Sequence, residues 1–273
     1  MLVYGHPNYY TAARRSIRSI LDRSPFDLFL VVDSKTSKLP VSHRIRMKIL
    51  ERERSTRHDR AYPFLLKFDA LRACLEEVIA EWILMVDADT LLATQIQQQD
   101  ICNVLDGFTF GMVEQSGILG SSMTLIDLLQ HYKNNILPWF DSNAIAPDPE
   151  EFRYFNSGVI LGHRSEFERI VPWALDTIHS PEKSHEIGVH MIADQDYFQY
   201  WTNTLHPGMC RSLPWNWNHC EHWDLNFPRE DAIFFHFSNF CNGPTRKMLL
   251  RMAWLDHKTR RRDRNAFLSK TRF

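Results

Sequence analysis

The sequence has no apolar run approaching the length of a membrane-spanning helix. Its amino terminus shows no basic stretch followed by a long apolar core, so no secretory signal is visible. Cysteine is sparse. The five residues Cys74, Cys102, Cys210, Cys220 and Cys241 are odd in number and show no Cys-x-x-Cys spacing, which speaks against a zinc site and for a reduced compartment. Cys210 and Cys220 are the pair a secreted setting would join. The expectation is a cytoplasmic protein. No internal repeat and no low-complexity segment is present. No strong charge of one sign is present either. The net charge is −1, which excludes a chain-wide attraction to nucleic acid or to acidic substrates. That balance hides an asymmetry: residues 244–273 hold 10 Lys/Arg against 2 Asp, and the remainder holds 22 Lys/Arg against 31 Asp/Glu.

What is present is an ordinary globular composition, 273 residues with 44 % hydrophobic and 24 % charged, enough for one large α/β domain. Residues 1–5 form a short apolar strand, His6-Pro7-Asn8 a turn with Asn8 as a helix cap, and Tyr10, Ala13, Ile17, Ile20 and Leu21 recur at helical spacing. A second strand covers 26–32 and ends at Asp33, a position suited to a ribose or base and equally to a turn. Strand, helix, strand with short joints opens a doubly wound sheet. Residues 35–60 are basic and aperiodic and read as a loop with some helix. Phe64, Phe68, Leu71, Leu75, Val78 and Ile79 then define a strong helix. Lys67 in its first turn is disfavoured by the helix dipole, so it is either solvated or turned toward an anion.

That helix leads into Trp82-Ile83-Leu84-Met85-Val86-Asp87-Ala88-Asp89. A short apolar run of this kind reads as a buried strand of a parallel sheet, and ligands collect at the carboxyl ends of such strands. Two carboxylates one residue apart on an extended chain face the same way, and a divalent cation relieves their repulsion. Asp is also common in plain turns, so this pair alone decides nothing. Downstream, Asn156-Ser157-Gly158 precedes an apolar strand, Asp194-Gln195 heads an aromatic helix where Asp194 also suits an N-cap, and His236 closes an apolar run at 232–235. Trp215, Trp217 and Trp223 alternate with Asn, His and Glu. That mixture suits a sugar-binding wall, with ring faces on C–H faces and amides on hydroxyls, or a loop covering the core.

The order of these pieces resembles the GT-A glycosyltransferases related to glycogenin and to the bacterial lipopolysaccharide galactosyl- and glucosyltransferases, family 8, over residues 1–247. The resemblance implies an α/β, Rossmann-like GT-A fold, a mainly parallel sheet flanked by helices in a single domain at 1–243, with a basic extension at 244–273. It implies Mn²⁺, with Mg²⁺ as the substitute, held by Asp87, Asp89 and His236 and bridging the diphosphate of a nucleotide sugar. Lys67 would face the donor, Asn156 and Ser157 would line the donor or acceptor sugar, and Asp194-Gln195 would lie under the anomeric centre; Asp33, Trp215 and Trp217 join them as substrate-binding candidates on their own sequence settings, not on the resemblance. Two departures stand out. His236-Phe237-Ser238 is followed by Asn239 rather than Gly, and the late Lys-Pro-Trp is missing, leaving Lys247 as its substitute.

The expected activity is transfer of a hexose from a UDP-linked donor to a hydroxyl of a glycan, a lipid-linked sugar or a protein, with retention. An inverting reaction would need a carboxylate base, for which Glu221 and Asp196 are available. Two rivals stand beside it. A metal-dependent nucleotidyltransferase would carry a Gly-rich loop after the first strand, which Gly5-His6-Pro7-Asn8 is not. A carbohydrate-binding or scaffold protein would not need Asp87, Asp89 and His236 intact. The basic tail reads either as a final helix completing the core or as a peripheral membrane contact, and a nucleic-acid role is disfavoured by the acidic remainder.

Overall fold

The alternation of apolar strands and amphipathic helices is realised in the computed structural model, which describes residues 1–5, 7–32, 39–50, 62–115, 124–180, 186–187, 190–221, 228–238 and 244–270. Strand β1 (Leu2–Val3), helix α1 (Pro7–Arg23) and strand β2 (Leu28–Val32) form the opening unit, with Leu2 beside Val31 in a parallel ladder. Strand β3 (Ile45–Ile49) extends this parallel sheet from Leu28↔Ile45 to Val32↔Ile49. The expectation of loop and helix at 35–60 is therefore corrected at 45–49. Ile45-Arg46-Met47-Lys48-Ile49 alternates apolar and basic residues, as suits an edge strand whose cations discourage further pairing. Asn8 lies inside α1 rather than capping it, and its amide donates to Pro244 O at 2.7 Å.

Helix α2 (Tyr62–Glu77) leads to β4 (Trp82–Val86), β5 (Thr90–Leu92), α3 (Gln98–Leu105) and β6 (Phe110–Glu114). Helix α4 (Leu125–His131) passes through a π turn at Tyr132–Ile136 into α5 (Leu137–Phe140). Next come β7 (Phe155–His163), α6 (Arg164–His179), the antiparallel pair β8 (Glu186–Ile187) and β9 (His190–Met191), and α7 (Asp194–Tyr200). The chain closes with β10 (Cys210–Leu213), a 3-10 turn at Trp215–Asn218, β11 (His219–Cys220), β12 (Phe234–His236) and α8 (Arg246–Lys270).

The second sheet has the order β10-β6-β7-β4, with β10 parallel to β6 and β7 antiparallel to both its neighbours. Side chains of β7 alternate between two cores. Val159 and Leu161 join Ile17, Val32 and Leu213 on one face, while Phe155 and Ile160 join Phe68, Phe167 and Phe198 on the other. Helix α1 covers the first face, and α2, α6 and α7 cover the second, giving a helix–sheet–helix domain. Strand β4 departs from the expected strand buried in parallel neighbours. It pairs antiparallel with β7, and its Trp82–Leu84 half is only partly buried. A cavity of about 680 Å³, lined by those residues with Met1, Phe29 and Leu71, lies along it.

The last sheet, β11-β12-β5, carries Thr90 opposite His236. Helix α8 packs Met252 and Leu255 into a core with Ala12, Leu91 and Phe235. Each such fully buried side chain contributes about 1.5–3 kcal/mol. Arg23, almost wholly buried, ties the two helices together. It reaches Asp263 at 2.9 Å, Asp256 at 3.8 Å, Thr259 Oγ1 at 3.0 Å and Leu92 O at 3.2 Å.

Candidate active site

The carboxylate pair sits where β4 ends. Asp87 N donates to Gly158 O at 2.9 Å, and Thr90 returns both its N–H (3.3 Å) and its hydroxyl (2.9 Å) to Asp87 O. Residues 87–89 therefore form a turn rather than the extended segment expected, and Thr90 is the residue that closes it. Phe237 N donates to Asp89 O at 3.0 Å, which holds the end of β12 against this turn. The consequence is convergence across about 150 residues of sequence: His236 Nε2 lies 3.5 Å from Asp89 Oδ1 and 3.7 Å from Asp87 Oδ2. One ligand atom from each of the three falls within 4.8 Å of the others. Asp89 and His236 are buried, and Asp87 alone opens to solvent, its side chain 27 % exposed.

Electrostatics at this corner follow from enclosure. Burial opposes a charge on His236, but hydrogen bonding to Asp89 and contact with Cys220 outweigh it and hold its pKa well above the ordinary value. Burial raises the Asp87 carboxyl despite the neighbouring Lys67 and His236 cations. Two carboxylates and an imidazole form a set of hard and borderline donors that fits Mn²⁺ or Mg²⁺.

Lys67 is the second organising group. It is buried, and its Nζ lies 2.9 Å from Asp87 Oδ1, 2.5 Å from Asp194 Oδ2 and 3.2 Å from Ser157 O. Of its two sequence readings the anion-facing one holds. Burial lowers its pKa, but Asp194 and Asp87 together raise it further, so it remains a cation. Ser157 Oγ donates to the same Asp194 oxygen at 2.8 Å. Asn156 Oδ1 accepts from Gly158 N at 2.8 Å and from Asn218 Nδ2 at 2.6 Å. Asn156 and Ser157 are both buried, and these bonds run to protein groups beneath the site.

Three residues not among the candidate site residues support His236 and its surroundings. Cys220 Sγ lies 3.8 Å from Nδ1, on the ring edge opposite the carboxylates. Asn218 anchors Asn156. Gly158, expected to serve close backbone approach or unusual dihedrals, has no positive φ. Its missing Cβ makes room for the imidazole, since a Cβ there would lie 2.3 Å from His236 Cε1. Nothing local in the sequence flags Cys220 or Asn218, because their partners are fixed only by the β11–β12 ladder and the 3-10 turn.

Other sequence candidates fall elsewhere. Gln195 heads α7, where its amide donates to Gln115 Oε1 at 3.1 Å and its side chain also bonds Tyr154. Trp217 is corrected: it is 3 % exposed in the core beside Phe234, with no ring face left for a sugar. Trp215 is partly buried, edge-on to His219, and Trp223 lies outside the described residues, as does Asp33. Glu221 is occupied by Arg251 Nε at 2.7 Å and Arg229 Nε at 3.3 Å, and Asp196 is buried and accepts from Ala193 N at 2.8 Å. Neither is placed as an exposed base. Lys247 is exposed at the start of α8, and residues 239–243 between it and His236 are outside the described residues. Cys210 and Cys220 are not disulfide-bonded.

No family model matches the chain, and no curated protein matches it by sequence. Among solved structures the chain is similar to the apo structure of the WbbM bifunctional glycosyltransferase, with TM-score 0.52 and 13 % identity over 87 % of this chain. The match covers 45 % of that chain, so this chain spans about half the length of the protein it resembles. At this identity the likeness shows the fold alone, an α/β fold like that of the matched structure.

Proposed function

We propose that the chain is a metal-dependent glycosyltransferase that moves a hexose from a nucleoside diphosphate sugar, UDP-linked, to an acceptor hydroxyl with retention of configuration. The observation that carries this reading is the meeting of Asp87, Asp89 and His236 at one corner, joined through Lys67 to Asp194. A cation held by the first three would neutralise charge gathering on the leaving diphosphate. Lys67 places a fixed positive charge between that corner and Asp194, so the two carboxylate groups are spaced rather than merged. Asp194, positioned by Lys67 and by Ser157 Oγ, supplies the negative charge that faces the developing cationic sugar. Gln195, tied to Gln115 and Tyr154, sets the register of the helix start that carries it. In the overall step the sugar–phosphate C–O bond breaks, the acceptor oxygen forms the new bond, and the hydroxyl proton leaves with the nucleoside diphosphate. The acceptor is a glycan, a lipid-linked sugar or a protein hydroxyl.

The test is UDP release from a panel of UDP-sugars with and without Mn²⁺, beside Mn²⁺-dependent UDP binding. Asp87→Asn and Asp89→Asn are each expected to abolish metal-dependent binding while the thermal unfolding transition persists. Wild-type Mn²⁺-dependent UDP affinity in both variants would end the metal assignment. Metal-dependent UDP binding without turnover of any sugar would favour the binding-protein reading.

A further inference from the structure

Helix α8 spends its inward face on the fold and leaves an unusual outer face. Its two acids, Asp256 and Asp263, turn toward Arg23, and Asp256 also pairs with Arg260 at 3.0 Å. Arg260 reaches Asp22 of α1 as well. The outer face then carries Arg246, Lys247, Lys258, Arg261, Arg262 and Arg264, with no acid of the helix among them. Of these, Arg262 stands at the margin, 3.8 Å from Asp263 and donating to Ala93 O at 2.6 Å, and the other five form no ion pair among the described residues. Between the cations lie Leu250, 63 % exposed, and one turn on Trp254, 49 % exposed. The Arg251 guanidinium stands 4.3 Å over the Trp254 ring and the Lys258 ammonium 5.3 Å from its centroid. A cleft of about 600 Å³ runs along this flank, lined by Arg229, Glu230, Arg251, Trp254, Lys258 and Arg262.

We infer that this face docks on an anionic membrane surface, with α8 lying in the plane of the headgroups. The 25-residue helix is about 37 Å long at 1.5 Å per residue, so its cations address many headgroups at once. Trp254 and Leu250 enter the interfacial layer, where an indole and an aliphatic chain are favoured, and the cations meet lipid phosphates. A nucleic-acid partner would use the cations but give Leu250 no apolar environment. The remainder of the chain holds 22 Lys/Arg against 31 Asp/Glu, so the net positive charge that meets a negative surface is concentrated in this helix. The inference does not depend on the chemistry at Asp87, because docking requires no donor.

The experiment is cosedimentation of the full chain with vesicles of phosphatidylcholine alone and of equimolar phosphatidylcholine and phosphatidylglycerol. It is run at 0.01 M and 0.15 M salt, between which the Debye length falls from about 30 Å to about 8 Å. Binding to the anionic vesicles alone, weakened by salt, is expected. The quadruple variant Lys247→Glu, Lys258→Glu, Arg261→Glu, Arg264→Glu should lower the partition coefficient at least about 100-fold, since each cation near such a surface is worth roughly fivefold. These side chains are exposed, and unchanged melting confirms the fold. The pair Leu250→Ser and Trp254→Ala should lower binding about tenfold even at 0.01 M salt, a loss that charge alone does not produce. Equal binding to neutral vesicles, no binding to anionic vesicles at low salt, or unchanged binding in both variants would overturn the inference. Tighter binding to duplex DNA than to the anionic vesicles would also overturn it.

Discussion

Replacing Gly158 by alanine tests the candidate site through a residue that bears no chemistry of its own. The added Cβ would lie 2.3 Å from Cε1 and 2.4 Å from Nδ1 of His236, and 3.0 Å from Asn156 Oδ1. Carbon contacts are comfortable from about 3.5 Å, so the imidazole must retreat by about 1 Å. It has little room, being buried with Cys220 behind Nδ1 and two carboxylates before Nε2. Overpacking of this kind costs about 1–3 kcal/mol, a fall of roughly 2–10 °C in a domain of this size. Displacing a ligand by about 1 Å should weaken Mn²⁺ binding by roughly 10–100-fold, the range seen when ligand-orienting contacts are lost. Gly162→Ala on the same strand is the control. Its Cβ would meet Phe167 at 2.5 Å and Phe110 at 3.0 Å in the aromatic core, so it should destabilise without touching metal affinity. The assay is Mn²⁺ titration followed by electron paramagnetic resonance of the free ion, with thermal melts of both variants. Equal Mn²⁺ affinity in wild type and Gly158→Ala would refute the gripped-imidazole argument, and so would an equal loss in the two variants.

Arg23→Ala should loosen α8, because Thr259 Oγ1 and Leu92 O lose their donor while Asp256 keeps only Arg260 and the partly exposed Asp263 only Arg262. A cost of about 1–3 kcal/mol is expected, read as a lower urea midpoint, and a midpoint within error of wild type would refute it. Asp196 has its carboxyl pushed up to about 7, chiefly by burial and further by Asp194, against the Ala193 N–H that lowers it. A folded pKa above the unfolded value means the protonated form is favoured in the fold. Its contribution is full below about pH 4 and is lost as pH rises through about 7. Asp196→Asn, melted in EDTA at pH 5 and pH 8, should therefore gain on wild type at pH 8, by at most about 4 kcal/mol, and gain less at pH 5. A difference independent of pH would remove the titration argument.

Most of the main helices and strands, and the chemistry on offer, are legible in the residues alone. The apolar run of β7 and the helical spacing in α1 and α2 follow from which residues must leave water, and that is written locally, although Asn156-Ser157-Gly158, read as a turn before the strand, lies inside β7 (Phe155–His163). The residue types Asp87, Asp89, His236, Lys67 and Asp194 were legible too, because a strand end or helix start is recognisable without its partners. Tertiary structure decided how those residues meet. β3 was hidden by its basic residues, since an edge strand tolerates side chains a central one would not. Trp217 read as a sugar platform because its neighbours are polar, and only the packing of the 3-10 turn against Phe234 sends it into the core. The basic tail offered the same cations to either reading, nine of them on helix α8, and the inward turn of Asp256 and Asp263 toward Arg23 decided which charges remain outside. Lys67 between Asp87 and Asp194, and Gly158 beneath His236, depend on the antiparallel β4–β7 register. Such a register is a balance of contacts between segments some 70 residues apart, and no local pattern encodes it.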